Sequence, residues 1–232
     1  MGADTLPQTG WRHFSVILFG SSMSPFVRKV IAFAGEKGVA LDVKPIGLGD
    51  PDPDFRKASP FGKIPAFTDG EFHLSDSSAI IHYLEAKHPD PPLIPDDPEL
   101  RGRCIWFDEF ADTIFAACGA KMFFNRIVAP MFMKRDGDSA VADAAERDEL
   151  PRVLDYIESV APEADGFLVG DSLTLADIAV ASPFANLRHL GIDPDRQRWG
   201  KTMAFADRIL DRPSFRPWYE KEAAFLTRVR GA

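Results

Sequence analysis

Cysteine is scarce in this chain, with only Cys104 and Cys118 among 232 residues. Both stand in an apolar stretch with helical patterning, and neither has a Cys or His at metal-ligand spacing. A disulfide framework is therefore excluded, and a reducing compartment fits. Each cysteine is expected to act as a small buried hydrophobe. Positive charge is also in deficit: the net charge is −8. That balance disfavours nucleic acid and anionic membrane surfaces as partners. No apolar run reaches membrane-spanning length. The opening MGADTLPQTG lacks the apolar centre of a signal peptide, and Leu6 stands where a myristoylation motif needs Ser or Thr. Residues 1–14 are expected to form a flexible tail, and the protein to be cytoplasmic. The histidines show no ligand spacing, so no metal site is expected.

What is present divides into two rhythms. Hydrophobic residues make up 45% and charged residues 27%, which suits a globular protein with a sizeable core. From residue 15 to 88 the pattern alternates strand and helix. SVILFG is a short apolar run ended by glycine, a buried strand. Pro25 suits the first position of a helix, and Val27, Val30, Ile31 and Ala34 form one apolar face before Gly38 closes it. LDVKPI supplies a second strand, so this span reads as a βαβ unit. GLGDPDPDFRKASPFGK is loop with at most a short helix. Asp69-Gly70 marks a hairpin turn, and Ser77, Ile80, Ile81 and Leu84 mark a third helix stopped by Pro89. The order is βαβ-ββα.

Residues 89–98 are crowded with proline and read as a linker. From 99 to 232 the pattern is helical throughout. Phe107, Phe110, Ile114 and Ala117 share one face, as do Leu175, Ile178, Ala179 and Ser182. Thr174 and Asp177 stand three apart, a capping-box arrangement with a structural role.

Four pieces in this order, SPFVRKVIAFAGEKGV, ASPFGKIPAF, LSDSSAIIHYLEAKHP and LTLADIAVASPF, resemble the cytosolic glutathione S-transferases. The tail RPSFRPWYEKE is similar as well, so the resemblance covers nearly the whole chain. It implies an α/β plus all-α architecture: a thioredoxin-like N-terminal domain followed by an all-helical C-terminal domain, usually as a homodimer. It also implies glutathione as co-substrate and a hydrophobic electrophile as its partner.

Ser24 is the candidate catalytic residue. Taken alone, a serine before Pro25 is an N-cap, worth about 1 kcal/mol. The same geometry suits a sulfur anion, because a helix N-terminus offers unpaired N–H groups and the positive end of its dipole. By resemblance, Ser24 matches the serine of the serine-type classes, such as tau, zeta and phi. Ser21 and Ser22 are weaker candidates, since serines near a glycine commonly make the turn. The absence of cysteine here disfavours thiol–disulfide exchange.

GKIPAF is similar to the family's cis-proline turn. The resemblance implies that Ile64, before Pro65, pairs its backbone with the cysteinyl part of glutathione, and that Lys63 reaches the glycyl carboxylate. Asp76-Ser77 stands where the family most often has Glu-Ser, which implies contact with the γ-glutamyl group. These residue types would equally cap the third helix. Phe26 and Phe115 are candidates for the electrophile pocket between the domains. Isomerisation and dehalogenation are open as variants of the chemistry. A non-enzymatic binding or regulatory protein of the same fold is the alternative.

Overall fold

The computed structural model describes residues 16–47, 49–163 and 165–231. The tail expected over 1–14 lies outside them. The apolar run before Gly20 forms β1 (Ile17–Phe19), and β2 (Asp42–Lys44) lies parallel to it, with α1 (Pro25–Glu36) crossing between them. The Gly/Pro-rich segment holds the short α2 (Pro53–Ala58), capped by the Asp52 carboxylate, which accepts from the Phe55 N–H at 2.8 Å. The Asp69-Gly70 turn joins β3 (Ala66–Asp69) to β4 (Phe72–Ser75), and α3 (Ser77–Lys87) follows. The sheet order is β2-β1-β3-β4, with β3 antiparallel to both neighbours. This is the βαβ-ββα order read from the sequence.

The C-terminal part is helical: α4 (Pro98–Phe110), α5 (Ala116–Phe123), α6 (Ser139–Ala144), α7 (Leu150–Val160), α8 (Leu175–Leu190), α9 (Gly200–Leu210) and α10 (Arg216–Arg230). Wider, π-helical turns at Ala111–Phe115, Phe124–Phe132 and Ala145–Glu149 continue α4, α5 and α6. Such turns realign one stretch of helix against the next. The buried start of α8 is held by Asp177, whose carboxylate accepts from the N–H groups of Thr174 at 2.9 Å and Leu168 at 2.8 Å.

Helix α1 departs from its one-sided pattern. It is buried on all sides from Val27 to Ala34, because the sheet and α3 cover one side and α8 the other. Two consecutive charged residues, Arg28 and Lys29, are thereby enclosed at 0% and 1% exposure. A buried charge survives only when paired and hydrogen-bonded. Arg28 reaches into the helical domain. Its guanidinium donates to both oxygens of Glu222, at 3.2 and 2.7 Å, to the Ser182 carbonyl at 2.8 Å and to Asn186 Oδ1 at 2.9 Å. His189 Nε2 lies 2.8 Å from the same Glu222 carboxylate. At the far end of α1, Glu36 accepts from Arg212 at 2.8 and 2.7 Å and from the Ser214 hydroxyl. The helix of one domain is thus pinned by charge to the other.

Burial pushes the Glu222 carboxyl up, but the Arg28 charge and the hydrogen bonds from His189 and Arg28 outweigh it and hold the group below the usual glutamate range. A carboxyl depressed on folding stabilises the fold above its unfolded value near 4.5, and that stability is lost as pH falls through the lowered value. Glu222→Gln leaves Arg28 without its countercharge, and urea unfolding near neutral pH should show a loss of about 3–5 kcal/mol. The variant should also lose the part of the acid sensitivity that lies below the ordinary glutamate range.

Candidate active site

The sheet register brings three distant segments to one end of the sheet. Phe19 at the end of β1 pairs with Ala66 at the start of β3, and Ala66 pairs with Ser75 at the end of β4. The segments 20–24, 63–65 and 76–77 therefore meet at one end of these strands. Gly20 permits the approach. Its φ is +148°, and a Cβ there would stand 2.6 Å from Val27 Cγ2 and 3.3 Å from Ile64 Cβ.

Ser24 occupies the N-cap position of α1 with extended backbone (φ −72°, ψ 126°), yet its hydroxyl makes no capping bond. Its backbone is fixed instead: the N–H donates to the Ser21 carbonyl at 3.0 Å, and its carbonyl accepts from Arg28 N–H at 3.0 Å. Pro25 at the next position has no N–H, so the first turn presents the donors of Phe26 and Val27. Ser21 Oγ is partly engaged, accepting from the Met23 N–H at 3.4 Å.

The Ile64–Pro65 bond is cis. The turn before it is pinned by Ser59, whose buried hydroxyl donates to the Lys63 carbonyl at 2.7 Å and accepts from the Lys63 N–H at 2.9 Å. Ile64 is partly buried, and its N–H and C=O take part in no turn or loop hydrogen bond among the described residues. The Lys63 side chain is exposed.

Asp76 joins β4 to α3 at φ 87° and ψ 130°, a conformation that costs a non-glycine residue on the order of 1–3 kcal/mol. Such outliers cluster at ligand sites. Its Oδ1 caps α3 by accepting from the Ala79 N–H at 3.0 Å. The capping reading of Asp76 holds, and the cap leaves Oδ2 and the N–H groups of Ser77 and Ser78 outside it.

The hydroxyl of Ser77 is committed elsewhere, which the sequence did not suggest. It donates to Asp112 Oδ2 at 3.1 Å, and Ser78 Oγ donates to Asp108 Oδ2 at 2.7 Å. Lys29 Nζ lies between the two carboxylates, 2.5 Å from Asp108 and 2.7 Å from Asp112. Burial raises the Asp112 carboxyl and the repulsion of Asp108 adds to it, while Lys29 and Ser77 pull it back. This cluster joins α1, α3, α4 and the first π-helical turn just behind the γ-glutamyl candidate. Lys29 was legible as a charge beside Ala32 and Phe33 on an apolar helix face. Asp108 and Asp112 had only their i, i+4 spacing, which helices use as often for solvated charge.

The two aromatic candidates separate. Phe26 is partly buried in the first turn of α1. Phe115 is fully enclosed, edge-on to Phe184 with centroids 4.9 Å apart, so it belongs to the core and offers no accessible wall. The apolar surface beside Ser24 comes instead from a cluster around Met23, in which Phe123 belongs to the aromatic set at helical spacing and the other residues carried no signal in the sequence. Met23 packs on a small cluster of Phe123, Ile127 and Leu226 with Met131 and Phe225. Phe132 stacks on Phe225 at 6.1 Å and stays 41% exposed.

The protein supplies no reactive thiol of its own among the described residues. Burial pushes Cys104 and Cys118 up to about 11 each. Nor, among those residues, is any group of His, Cys, Asp and Glu arranged to hold a metal ion. None of the described helices is long and apolar enough to cross a membrane.

Comparison with known proteins gives a concordant result. The family described as glutathione S-transferase, N-terminal domain, matches residues 18–92, and glutathione S-transferase, C-terminal domain, matches residues 120–213. A glutathione S-transferase of Hyoscyamus muticus is 34% identical over 166 residues, 69% of this chain and 77% of the relative. A stringent starvation protein A homolog of Coxiella burnetii is 25% identical over 92% of this chain and 96% of its own length. Among solved structures, a glutathione S-transferase of Methylobacterium radiotolerans in complex with glutathione sulfonate superposes with a TM-score of 0.73 at 27% identity. That match covers 88% of this chain and 94% of the other.

Removing the cation behind the site should be far costlier than removing one anion. Lys29→Met leaves the buried Asp108 carboxylate facing the half-buried Asp112 carboxylate with no cation between them, and denaturant unfolding should show a loss of about 3–5 kcal/mol. Asp112→Asn keeps Lys29 paired with Asp108 and should cost under about 2 kcal/mol.

Proposed function

Because the chain belongs to the cytosolic glutathione S-transferase family, we propose that it is a glutathione transferase of serine type, in which Ser24 stabilises the glutathione thiolate for attack on a small apolar electrophile. The observation that carries this reading is the uncommitted hydroxyl of Ser24 at the N-terminus of α1. A serine serving only as a cap would accept a hydrogen bond from a first-turn N–H on its side-chain oxygen, and this one does not.

The energetics are sufficient. A free thiol ionises near ~8.5, so little is thiolate at neutral pH. Lowering that by about two units requires roughly 2.7 kcal/mol of selective stabilisation. A hydrogen bond to the anion supplies about 1.5–3 kcal/mol, and the helix dipole about 0.3–1 kcal/mol more. The hydroxyl keeps its proton throughout, so no base is needed beside it. The thiol proton leaves to solvent, the sulfur lone pair forms a C–S bond at the electrophilic carbon, the bond to the leaving group (chloride in a chloronitroarene) breaks and carries off its electron pair, and the protein contributes orientation and anion stabilisation.

The other contacts follow the same reading. Ile64 pairs its free backbone groups with the cysteinyl unit as an added strand would. The N–H groups of Ser77 and Ser78 receive the γ-glutamyl carboxylate at the start of α3. Asp76 Oδ2 faces the ammonium, and Lys63 takes the glycyl carboxylate. Phe26, Met23, Phe132 and Phe225 form the apolar wall for the electrophile. Isomerase or dehalogenase chemistry would use the same thiolate. The proposal includes a cytoplasmic location.

A homodimer completes it. Phe61 is 88% exposed. A groove of about 250 Å³ lined by Trp106, Phe110, Ile114, Val153 and Tyr156 lies between α4 and α7. Ring and groove on each copy suit an isologous pair, in which each buried phenylalanine contributes about 1.5–3 kcal/mol. A second reading, binding without turnover, is favoured by the near full-length alignment to a relative that is not named a transferase.

Three experiments test these points. Ser24→Ala should fold with at most about 1 kcal/mol of loss while turnover of a chloronitroarene falls well beyond tenfold; unchanged turnover would move the role to Ser22 or Ser21. Wild type that is retained on immobilised glutathione but turns nothing over would instead support the binder. For assembly, Phe61→Asp should shift the protein from dimer to monomer in sedimentation. A wild-type monomer, or a dimer unaffected by the substitution, would contradict the interface.

A further inference from the structure

Ser24 has no side-chain support from its own domain, yet the peptides beside it are held from the other one. Asn186 of α8 donates from Nδ2 to the Met23 carbonyl at 2.9 Å. Ser182, one turn earlier, donates from Oγ to the Pro25 carbonyl at 2.7 Å. The peptide between Met23 and Ser24 sets one of the two planes that aim the Ser24 Cβ, and Asn186 fixes that plane from its carbonyl side. The amide of Asn186 cannot flip without penalty. Its Oδ1 accepts from Arg28 at 2.9 Å, so the nitrogen must face Met23. Arg28 is in turn locked by Glu222 and by the Ser182 carbonyl. Asn186, Ser182, Arg28 and Glu222 are all buried, at 4%, 1%, 0% and 3% exposure.

We propose that Asn186 is a positioning residue for Ser24: it holds the Met23 carbonyl so that the hydroxyl one residue on points to the sulfur rather than back onto the first turn of α1. The inference rests on the reading that Ser24 meets the thiolate. Asn186 is buried, with its amide taken up by the Met23 carbonyl and Arg28, so its effect on the chemistry passes through Ser24. Loss of the strut leaves the 23–24 peptide held only from its N–H side, by the 3.0 Å bond to the Ser21 carbonyl, so it can tilt about that bond and let the hydroxyl fall into the capping bond that is open to any serine at this position. The affinity for glutathione, carried mainly by the segments at 63–65 and 76–78, should change little.

The test is a double-mutant cycle on the full-length protein, read by the pH dependence of the thiolate ultraviolet absorbance of bound glutathione and by kcat and KM. Asn186→Ala should raise the ionisation midpoint of the bound thiol by about one unit and lower kcat about tenfold, with KM for glutathione within about threefold of wild type. The double variant with Ser24→Ala should be no worse than Ser24→Ala alone. A titration curve that superposes on wild type, a rise in KM at unchanged kcat, or full additivity in the double variant would each overturn the inference. If Asn186→Ala does not fold, Asn186→Leu fills the space without a donor and is held to the same outcomes. If Ser24→Ala itself leaves the thiol titration unmoved, the reading of Ser24 falls, and the inference about Asn186 falls with it. A shift in Ser24→Ala without one in the Asn186 variants overturns the inference alone.

Discussion

Two adjacent charges on one helix hold this molecule together. Arg28 and Lys29 point about 100° apart around α1, so they engage different parts of the structure. Arg28 meets Glu222, Asn186 and the Ser182 carbonyl on α8 and α10. Lys29 meets Asp108, Asp112 and Ser78. Apolar burial alone would let α1 slide or rotate against the helical domain, because it is non-directional. Buried ion pairs add little net stability, since desolvation offsets most of the attraction, but they tolerate few geometries. Here the geometry they fix is that of the first turn of α1, where Ser24 stands.

The fold was largely legible. Strand, helix and hairpin signals sat where the chain needed them, because glycine and proline punctuate this half: Gly20, Pro25, Gly38 and Gly70 each mark a real boundary. Segments near the site were legible for the same reason, since each is a turn with its own chemistry. What escaped reading was anything depending on two segments far apart. Phe115 shared the spacing of its aromatic neighbours, and nothing local distinguished a core ring from a pocket wall. Ser77 looked free to bind a ligand, but its hydroxyl had a partner 35 residues away in Asp112. Asn186 and Ser182 sit in a helix whose pattern is simply buried, and their task is visible only against Met23 and Pro25.

The electrostatic logic of the site is one of subtraction. Asp112, Asp108 and Glu222 are all neutralised by a cation before they can act on the sulfur position. Those three are thereby compensated, and Asp76, which has no ion-pair partner among the described residues, is the carboxylate left open beside the site. In the proposed serine-type reading, the N-terminal N–H groups and one alcohol supply the field for the thiolate, at low cost in reorganisation, because the two domains already hold them in place. The protein's own thiols are kept inert by burial, which leaves the bound tripeptide as the nucleophile in this account.

The measurement that bears most directly on this account is the structure of the protein crystallised with glutathione. The account predicts the sulfur at hydrogen-bonding distance from Ser24 Oγ, with the cysteinyl backbone paired to Ile64 and the Met23 carbonyl still held by Asn186. A sulfur turned toward Ser21 or Ser22, or toward no hydroxyl, with Ser24 folded back onto the first turn of α1, would contradict it.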